Sequence, residues 1–495
     1  MMEVPIISPS VRKVFVLLSC TFLGLICGTL YLYSSYSPQF AKQLNYTATD
    51  ASRIALMGTI GIAVSGPLAG LVVDKKGYSV SLVIGGLLIV VGYLAMKKQF
   101  DHIYSNVSLS ATCIFFVGCG STFINLACLK CCAVSFPSIR GVATSLPLAL
   151  YGLSALFFSV IASVFFPGDT SMFLGFLAYS TVVIFVICAP SVIVCDWEHK
   201  LRKTVQNKHM SLDSIELSTM RPSMSRTPLL NLSPRTSVRN RPFGVPDVDI
   251  SGTHLARSWK FWGIFIITGS LAALGQMYIY SVGYMVKALV TNLLLKEIEH
   301  SDGALTKIEQ LIQKDQQLQV GLLSIANCVG RISSGVLGDV VQSFNKPRSL
   351  LLYVPCIGMM VAQVMSLLIN EYGGLSADSL LTGFSYGFTF CIMPIIVGDS
   401  FGMENFSSNW GIVGLAPIFP SFFFTSLFGQ IYDSHTEPYS NSRFKLCVLG
   451  NLCYSAIFKL TIVITIFTLL IISVLNFGNL IVKRSKYSEH RKLSL

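Results

Sequence analysis

Long apolar stretches alternate with short polar ones along almost the whole chain. Twelve of these stretches are long enough to cross a bilayer, since about 20 apolar residues in a helix span its hydrocarbon core. The pattern therefore predicts an all-α membrane protein with twelve transmembrane helices, which we number as spans 1 to 12. They cover residues 14–36, 53–73, 79–96, 108–129, 141–166, 172–195, 260–286, 318–341, 349–370, 376–398, 408–431 and 459–482.

A long polar insert divides the spans into two groups of six. Residues 196–259 are rich in Ser, Pro and Arg and poor in aromatic residues, a composition typical of disordered chain. We therefore predict an N-terminal six-helix half over 1–195, a disordered linker over 196–259, a C-terminal half over 260–482 and a basic tail over 483–495.

Composition and charge agree with a membrane protein. The chain is 52% hydrophobic and 12% charged, whereas soluble domains are about 25% charged. A net charge of +12 would suggest a nucleic-acid partner for a soluble protein. Here Lys and Arg concentrate in the linker and the C-terminal tail, so the positive-inside rule places both termini in the cytosol. The expected partners are the lipid bilayer and a small-molecule substrate, with no nucleic acid; the oligomeric state stays open.

Two short motifs occur once in each half, which suggests an internal duplication. Span 1 contains GTLYLYS at 28–34, and span 7 contains GQMYIYS at 275–281. Span 2 ends in GLVVD at 70–74, and span 8 ends in GVLGD at 335–339. Each motif pair lies at corresponding positions of the two halves.

The segment GLVVDKKG at 70–77 resembles the signature loop of the major facilitator superfamily. The resemblance implies two pseudo-symmetric six-helix halves that rock about a central site. A glycine in the motif allows close helix approach, and the aspartate caps a helix N-terminus or pairs with a basic residue in one closed state. The predicted gating residues are Gly70, Asp74, Lys75, Gly77, Gly335 and Asp339.

The resemblance also gives the repeated tyrosines a role, because spans 1 and 7 line the central cavity of this fold. Residues two apart cannot share one helix face, so we expect one tyrosine of each pair to face the cavity. The alternative is aromatic packing between helices. The candidates are Tyr31, Tyr33, Tyr278 and Tyr280.

Arg331 is the one ionisable residue deep within a predicted span. An unpaired arginine near the midplane is costly, so its side chain should face the cavity, where it can bind a carboxylate or phosphate. A structural arginine, bonded to backbone carbonyls or to Asp339, is the alternative. All 24 Asp and Glu residues fall in loops, tails or span ends. We therefore expect no buried titratable acid, which favours uniport, exchange or a proton carried by the substrate itself over a dedicated proton relay.

Further segments resemble monocarboxylate-transporter and nodulin-like proteins. They include RGVA at 140–143, QVGLLSIANCVGRISSGVLGD at 319–339 and DSFGMENFSSNWGIVGLAPI at 399–418. The resemblance extends to a fungal group of vacuolar-membrane homologues and implies that location. Monocarboxylate transporters have an aspartate where this chain has Asn327 and a lysine where it has Ser35. Monocarboxylate–proton symport is therefore not expected, although Asn327 joins the candidate substrate-binding residues.

The remaining signals are weaker. Cys447 and Cys453 lie in a loop on the non-cytosolic side and would pair if that compartment is oxidising. Asn45 and Asn106 begin glycosylation sequons on the same side, so the chain is a candidate glycoprotein. The sequence contains no nucleophile elbow, P-loop or zinc signature. We therefore expect no enzyme activity, no metal site and no cofactor. The sequence favours a transporter of a small organic solute, and an anionic solute is favoured over a neutral one. A membrane solute sensor of the same fold is the alternative.

Overall fold

The computed structural model describes residues 9–46, 48–166, 169–219, 249–298, 304–438 and 445–493. Within these residues, twelve helical segments are long and apolar enough to cross a membrane, as predicted. Spans 1 to 6 cover Val11–Leu32, Arg53–Lys76, Tyr78–Asp101, Val107–Ser135, Arg140–Phe165 and Thr170–Val205. Spans 7 to 12 cover Trp259–Leu293, Leu311–Ser343, Arg348–Leu368, Leu375–Phe401, Phe406–Ser434 and Ser455–Gly478.

Most spans are part of a single α-helix, and three are composite. The single helices are Ala48–Lys76, Tyr78–Asp101, Val107–Ser135, Arg140–Phe165, Thr170–Thr219, Trp259–Ile298, Ala304–Ser343, Leu375–Phe401 and Ser455–Leu493. Span 1 lies in Pro9–Cys27 and the 3-10 helix Gly28–Leu32, and the chain continues as helix Tyr33–Leu44. Span 9 joins the 3-10 helix Arg348–Leu352 to Tyr353–Leu368, and span 11 joins Phe406–Val413 to Ile418–Ser434.

Short elements complete the fold. A five-residue helix, Thr253–Arg257, precedes span 7, and 3-10 turns form at Tyr372–Gly374 and Gly450–Cys453. The strands Glu437–Pro438 and Lys445–Leu446 pair antiparallel between spans 11 and 12. Cys447 and Cys453 form a disulfide in the same loop.

Two parts of the predicted linker, residues 196–219 and 249–259, belong to the described chain and are mainly helical. The helix of span 6 continues to Thr219, and the linker's C-terminal end binds the end of span 10 and the start of span 11. There the amide of Ile250 donates to the Phe401 carbonyl (3.0 Å), and the Asn409 side-chain amide donates to the Ile250 carbonyl (2.8 Å). Residues 220–248 lie outside the described part of the chain. The predicted C-terminal tail is likewise helical as far as Leu493.

The two halves contact each other through backbone at one end of the bundle, which we call the linker side because the linker joins spans 6 and 7 there. A Cβ at Gly70 of span 2 would lie 2.3 Å from the Ser407 carbonyl oxygen of span 11. A Cβ at Gly335 of span 8 would lie 2.5 Å from the Gly141 carbonyl oxygen of span 5. Real Cβ atoms do not approach so closely, so the repeated glycines allow two helix crossings that close the linker side.

Candidate functional site

Asp74 connects the N-terminal half to the start of span 11. Its carboxylate accepts hydrogen bonds from the Ser408 amide (2.7 Å) and hydroxyl (2.6 Å), and a longer one from the Ser407 amide (3.3 Å). Lys130 of span 4 pairs with the same carboxylate at 2.5 Å. A negative charge at a helix N-terminus is favourable because the first amides of a helix have no partner within it.

Asp339 makes the corresponding contact from the C-terminal half. Its two oxygens accept from the Gly141 and Val142 amides at the start of span 5, both at 2.8 Å. Arg348 pairs with Asp339 at 2.7 Å and with Asp399 at 2.8 Å, and Arg140 pairs with Asp399 at 3.1 Å. The duplicated motif therefore forms two related contacts between the halves, each made of a glycine crossing and an aspartate cap.

The remaining predicted gating residues do not bridge the halves. Lys75 is exposed. Gly77 has a φ of 97°, a conformation that side chains rarely adopt, and it turns the chain from span 2 into span 3. Span 3 is capped within its own half by Asp196, which accepts from the Tyr78 (3.1 Å) and Ser79 (3.2 Å) amides.

A cavity of about 760 Å³ lies between the two halves, beyond the closed linker side. Its span 2 residues, from Ala55 to Gly66, precede the sealed crossing at Gly70. The lining is mainly apolar and aromatic, with scattered hydroxyl and amide groups. It comprises Tyr31, Ala55, Leu56, Thr59, Ile60, Ile62, Ala63, Gly66, Ser121, Thr122, Asn125, Leu126, Leu148, Tyr151, Gln276, Tyr280, Arg331, Tyr386, Phe390, Trp410, Gly411, Gly414, Pro417, Ile418, Ser421, Phe422, Thr425 and Ser426.

Arg331 lines this cavity and is the only charged residue in the lining given above. One of its terminal nitrogens donates to the Leu148 carbonyl of span 5, and its Cζ lies 5.4 Å from the centre of the Tyr151 ring. Its Nε has no hydrogen-bond partner. Arg331 therefore bonds to a backbone carbonyl and also lies at the cavity wall. Asp339 is engaged instead with span 5 and Arg348.

One tyrosine of each repeat lines the cavity: Tyr31 and Tyr280. Tyr33 packs edge-on against Tyr36 with ring centres 5.4 Å apart, and Tyr278 is fully buried and hydrogen-bonded to Ser379 (3.0 Å). The cavity tyrosine is the first of its pair in span 1 and the second in span 7. Residues 28–32 form a 3-10 helix, whose winding rotates side chains by roughly 20° more per residue than an α-helix. Span 7 has no such segment within Trp259–Ile298.

Asn327 also lies outside the cavity lining, although it was predicted to bind substrate. It sits between spans 5 and 10: its Oδ1 would be 3.1 Å from a Cβ at Gly152 and 2.8 Å from a Cβ at Gly387. The Asn327 Oδ1 atom has no hydrogen-bond partner. The structure therefore brings three of the predicted residues, Tyr31, Tyr280 and Arg331, to one cavity.

Sequence reasoning missed several aromatic and amide residues of the cavity wall. Tyr151 lies 5.8 Å from Tyr31 between ring centres, and Tyr386 lies 4.7 Å from Phe390. The Tyr386 hydroxyl accepts a long hydrogen bond from Gln276 (3.4 Å). Gly275 makes room for this tyrosine, because a Cβ there would lie 2.3 Å from the ring. The sequence signal for Tyr386 was Gly275 of the repeated motif. The sequence does not show which side chain occupies the space beside this glycine.

The expectation that no acid is buried is wrong: Asp196 and Asp315 are buried, and Asp378 is the most completely enclosed. This residue is the fourth of span 10, so it does lie at a span end, but its exposure is 0%. Its Oδ2 accepts from the Ser366 hydroxyl of span 9, and its Oδ1 has no hydrogen-bond partner. The packing of spans 7, 9 and 10 around this end decides the burial, which hydropathy along the chain does not encode.

Comparison with known proteins extends the resemblance beyond single motifs. Residues 13–220 match the Nodulin-like family model. The chain is 26% identical to an uncharacterized membrane protein of Saccharomyces cerevisiae, over 91% of this chain and 92% of that protein. It is also 26% identical to a protein of Wickerhamomyces anomalus named probable transporter MCH1, over 87% of this chain and 82% of the relative.

The fold is similar to that of solved major facilitator transporters. The proton:xylose symporter XylE superposes with a TM-score of 0.58 at 12% identity, over 92% of this chain and 95% of that structure. The Escherichia coli fucose:proton symporter FucP gives a TM-score of 0.52 at 15% identity, over 92% and 98% of the two chains. At these identities the likeness establishes the fold alone, which is the twelve-helix major facilitator fold predicted from the sequence.

Proposed function

We propose that this chain, which has the major facilitator fold and matches the Nodulin-like family over residues 13–220, is a secondary transporter of a small organic anion. The observation that carries the proposal is the position of Arg331 at the wall of the cavity between the halves. Among the described residues, no carboxylate forms an ion pair with this guanidinium. A buried cation without a protein anion is suited to a carboxylate or phosphate of the substrate.

The remainder of the wall suggests how the rest of the substrate binds. The rings of Tyr31, Tyr151, Tyr280 and Tyr386 supply apolar faces with hydroxyl tips, and Gln276 and Asn125 add amides. Such a wall favours an organic body with a few hydrogen-bonding groups over a bare inorganic ion. Asn327 replaces the acid of monocarboxylate transporters and lies outside the lining, so monocarboxylate–proton symport through that position is not part of the proposal.

Transport would proceed by alternating access. In the arrangement described here the glycine crossings and the caps at Asp74 and Asp339 close the linker side. Rocking of the halves would break these contacts and expose the cavity to the linker side. The bias of Lys and Arg supports a cytosolic linker side and cytosolic termini, and the resemblance to fungal homologues supports the vacuolar membrane as the location. Relatives named probable transporter support transport itself.

The test is uptake by purified full-length protein in liposomes. Labelled mono-, di- and tricarboxylates, phosphate and neutral solutes would be offered to the wild type and to the Arg331→Gln and Arg331→Lys variants. We expect saturable uptake of at least one organic anion and a loss of roughly tenfold or more in Arg331→Gln, the size expected for one charge-assisted hydrogen bond. Arg331→Lys should retain part of the activity, because it keeps the charge.

A matched control is Arg202→Gln, which makes the same substitution at an exposed arginine on the linker side. It should leave uptake unchanged. Full activity in Arg331→Gln, or uptake of neutral solutes alone, would contradict an anionic substrate. Saturable binding of the anion without uptake would instead indicate a solute sensor of the same fold.

A further inference from the structure

Asp378 is an acid enclosed within the C-terminal half and separate from the transport cavity. Its exposure is 0%, and it is absent from the cavity lining. One carboxyl oxygen accepts from the Ser366 hydroxyl, and the other has no hydrogen-bond partner. None of the ion pairs formed by the described residues includes it.

The groups that face Asp378 are neutral on every element around it. Span 7 contributes Tyr278, span 9 contributes Ser366, and span 10 itself contributes Thr382. Tyr454, the residue before span 12, also faces Asp378. Two ionisable residues lie on neighbouring spans, but neither neutralises a negative charge on Asp378. Asp315 of span 8 accepts a long hydrogen bond from Gln319 (3.4 Å), and Lys459 of span 12 is exposed.

An ionised carboxylate in such surroundings would be strongly unfavourable, because burial removes its hydration and no cation replaces it. The neutral acid is compatible with the same surroundings. It still accepts from the Ser366 hydroxyl through one oxygen, and the proton removes the negative charge that burial disfavours. The geometry therefore favours the protonated carboxyl over the carboxylate in the arrangement described here.

The site is connected to the cavity through span 7. The Tyr278 hydroxyl is hydrogen-bonded to Ser379, the neighbour of Asp378 on span 10 (3.0 Å). Two residues further along span 7, Tyr280 lines the cavity. One helical turn before Tyr280, Gln276 donates to Tyr386 of span 10 (3.4 Å). A displacement of span 7 against span 10 would therefore alter the cavity wall and the polar groups around Asp378 together.

We propose that Asp378 is a proton-binding site whose occupancy is linked to the packing of span 7 against span 10. The carboxyl binds a proton when the two spans are packed as here, and it releases the proton to water when they separate. By reciprocity, the pH then biases which arrangement is populated. Proton binding at Asp378 does not depend on the proposed transport function, whereas its use for coupling does.

Infrared difference spectroscopy of the full-length protein in lipid nanodiscs tests the proton itself. A protonated buried carboxyl gives a C=O stretch distinct from that of a carboxylate, and this band should be present in the wild type and absent in Asp378→Asn. The control Asp433→Asn replaces an exposed acid of the same half and should retain the band. A spectrum in which Asp378→Asn removes no component of the band would overturn the proposal.

A second variant keeps the test decisive if Asp378→Asn does not fold. Ser366→Ala removes the hydrogen bond to Oδ2 and retains the acid, so it should shift the frequency of the band. An unshifted band in Ser366→Ala would show that it arises elsewhere and would overturn the assignment.

The link to the cavity has its own readout in Trp410, which lines the cavity. With the other three of the four tryptophans replaced by Phe, the fluorescence of Trp410 should show one pH-dependent transition. Asp378→Asn should abolish it. A transition that survives in Asp378→Asn would contradict the linkage. Because neither readout uses a substrate, failure of the uptake experiment would leave the result at Asp378 intact.

Discussion

Arg331 of the C-terminal half passes directly over Gly152 of span 5, where a Cβ atom would lie 3.4 Å from the guanidinium carbon. This glycine leaves room for the guanidinium to reach the Leu148 carbonyl one turn earlier in the same span. The charged group at the cavity therefore packs against a residue of the opposite half that has no side chain.

Gly152→Leu should displace the guanidinium of Arg331 and lower the apparent affinity for an anionic substrate by about tenfold, the value of one charge-assisted hydrogen bond. The Michaelis constant for uptake measures the effect. Gly152→Ala should be milder, since its Cβ contacts are 3.1 Å or longer. Gly429→Leu is the control, because nothing lies within 4 Å of a Cβ there. Unchanged affinity in Gly152→Leu would mean that the crossing does not position Arg331.

Asp74→Asn and Asp339→Asn should each favour opening of the linker side. Each removes a charge that caps a helix of the opposite half, at a cost of about 1–3 kcal/mol to the closed arrangement. Distances between spin labels at two exposed linker-side positions, Lys75 and Phe344, would measure the populations in a background without other labelled cysteines. Asp433→Asn should leave the distribution unchanged. The same distribution in all variants would contradict the gating role.

The exposed pair between Lys203 and Glu404 (2.5 Å) should contribute little compared with the buried pair between Lys130 and Asp74. Solvent screening limits exposed pairs to about 0.2–1 kcal/mol. We expect Lys203→Ala to shift the thermal midpoint only slightly and Lys130→Ala to lower it clearly. Equal effects would contradict the difference in burial.

The stabilising effect of the ion pair between Lys203 and Glu404 should weaken at acidic pH. Lys203, by donating a hydrogen bond, holds the pKa of the Glu404 carboxyl below its ordinary value. The small contribution of this ion pair to folding stability is therefore fully present above the pKa of Glu404 in the unfolded chain, about 4.3. It is lost as the pH falls through the pKa of Glu404 in the folded chain. In Lys203→Ala, the pKa of the Glu404 carboxyl should rise towards its ordinary value, and an NMR titration would measure the change. An unaltered titration would exclude Lys203 as the cause.

The paired tyrosines should respond unequally to loss of the hydroxyl. Tyr31→Phe and Tyr280→Phe alter the cavity wall and should change substrate affinity, by a few-fold for a neutral hydrogen bond. Tyr33→Phe should leave affinity unchanged, because its ring packs against Tyr36 outside the cavity. Equilibrium binding of the substrate identified by uptake would compare the variants. Equal effects at Tyr31 and Tyr33 would contradict the assignment.

The disulfide between Cys447 and Cys453 should stabilise the loop before span 12. Closing so short a loop is worth about 2 kcal/mol in the chain-entropy account. Cys447→Ser should therefore lower the thermal midpoint of the untreated protein but have no further effect in reductant. Cys328→Ser, at an unpaired cysteine, should behave as the wild type in both conditions. A midpoint insensitive to both reductant and Cys447→Ser would contradict a stabilising disulfide.

The sequence by itself determined the membrane-spanning architecture. Hydrocarbon thickness sets a minimum length for an apolar helix, so twelve apolar stretches predicted twelve spans without any knowledge of packing. The duplicated motifs identified corresponding glycines and aspartates in the two halves. Both aspartates cap helices of the opposite half, because unpaired amides at a helix start attract a carboxylate wherever the chain brings them together.

The tertiary structure alone decided the details of the cavity and of the buried acid. In span 1 the cavity tyrosine is Tyr31, which lies in a 3-10 segment, whereas in span 7 it is Tyr280, the second tyrosine of its pair. Asp378 lies near the end of its helix, where hydropathy predicts exposure, yet its exposure is 0% because spans 7 and 9 pack against this end of span 10. Burial and facing direction depend on which helices become neighbours, and a one-dimensional pattern of apolar residues does not contain that information.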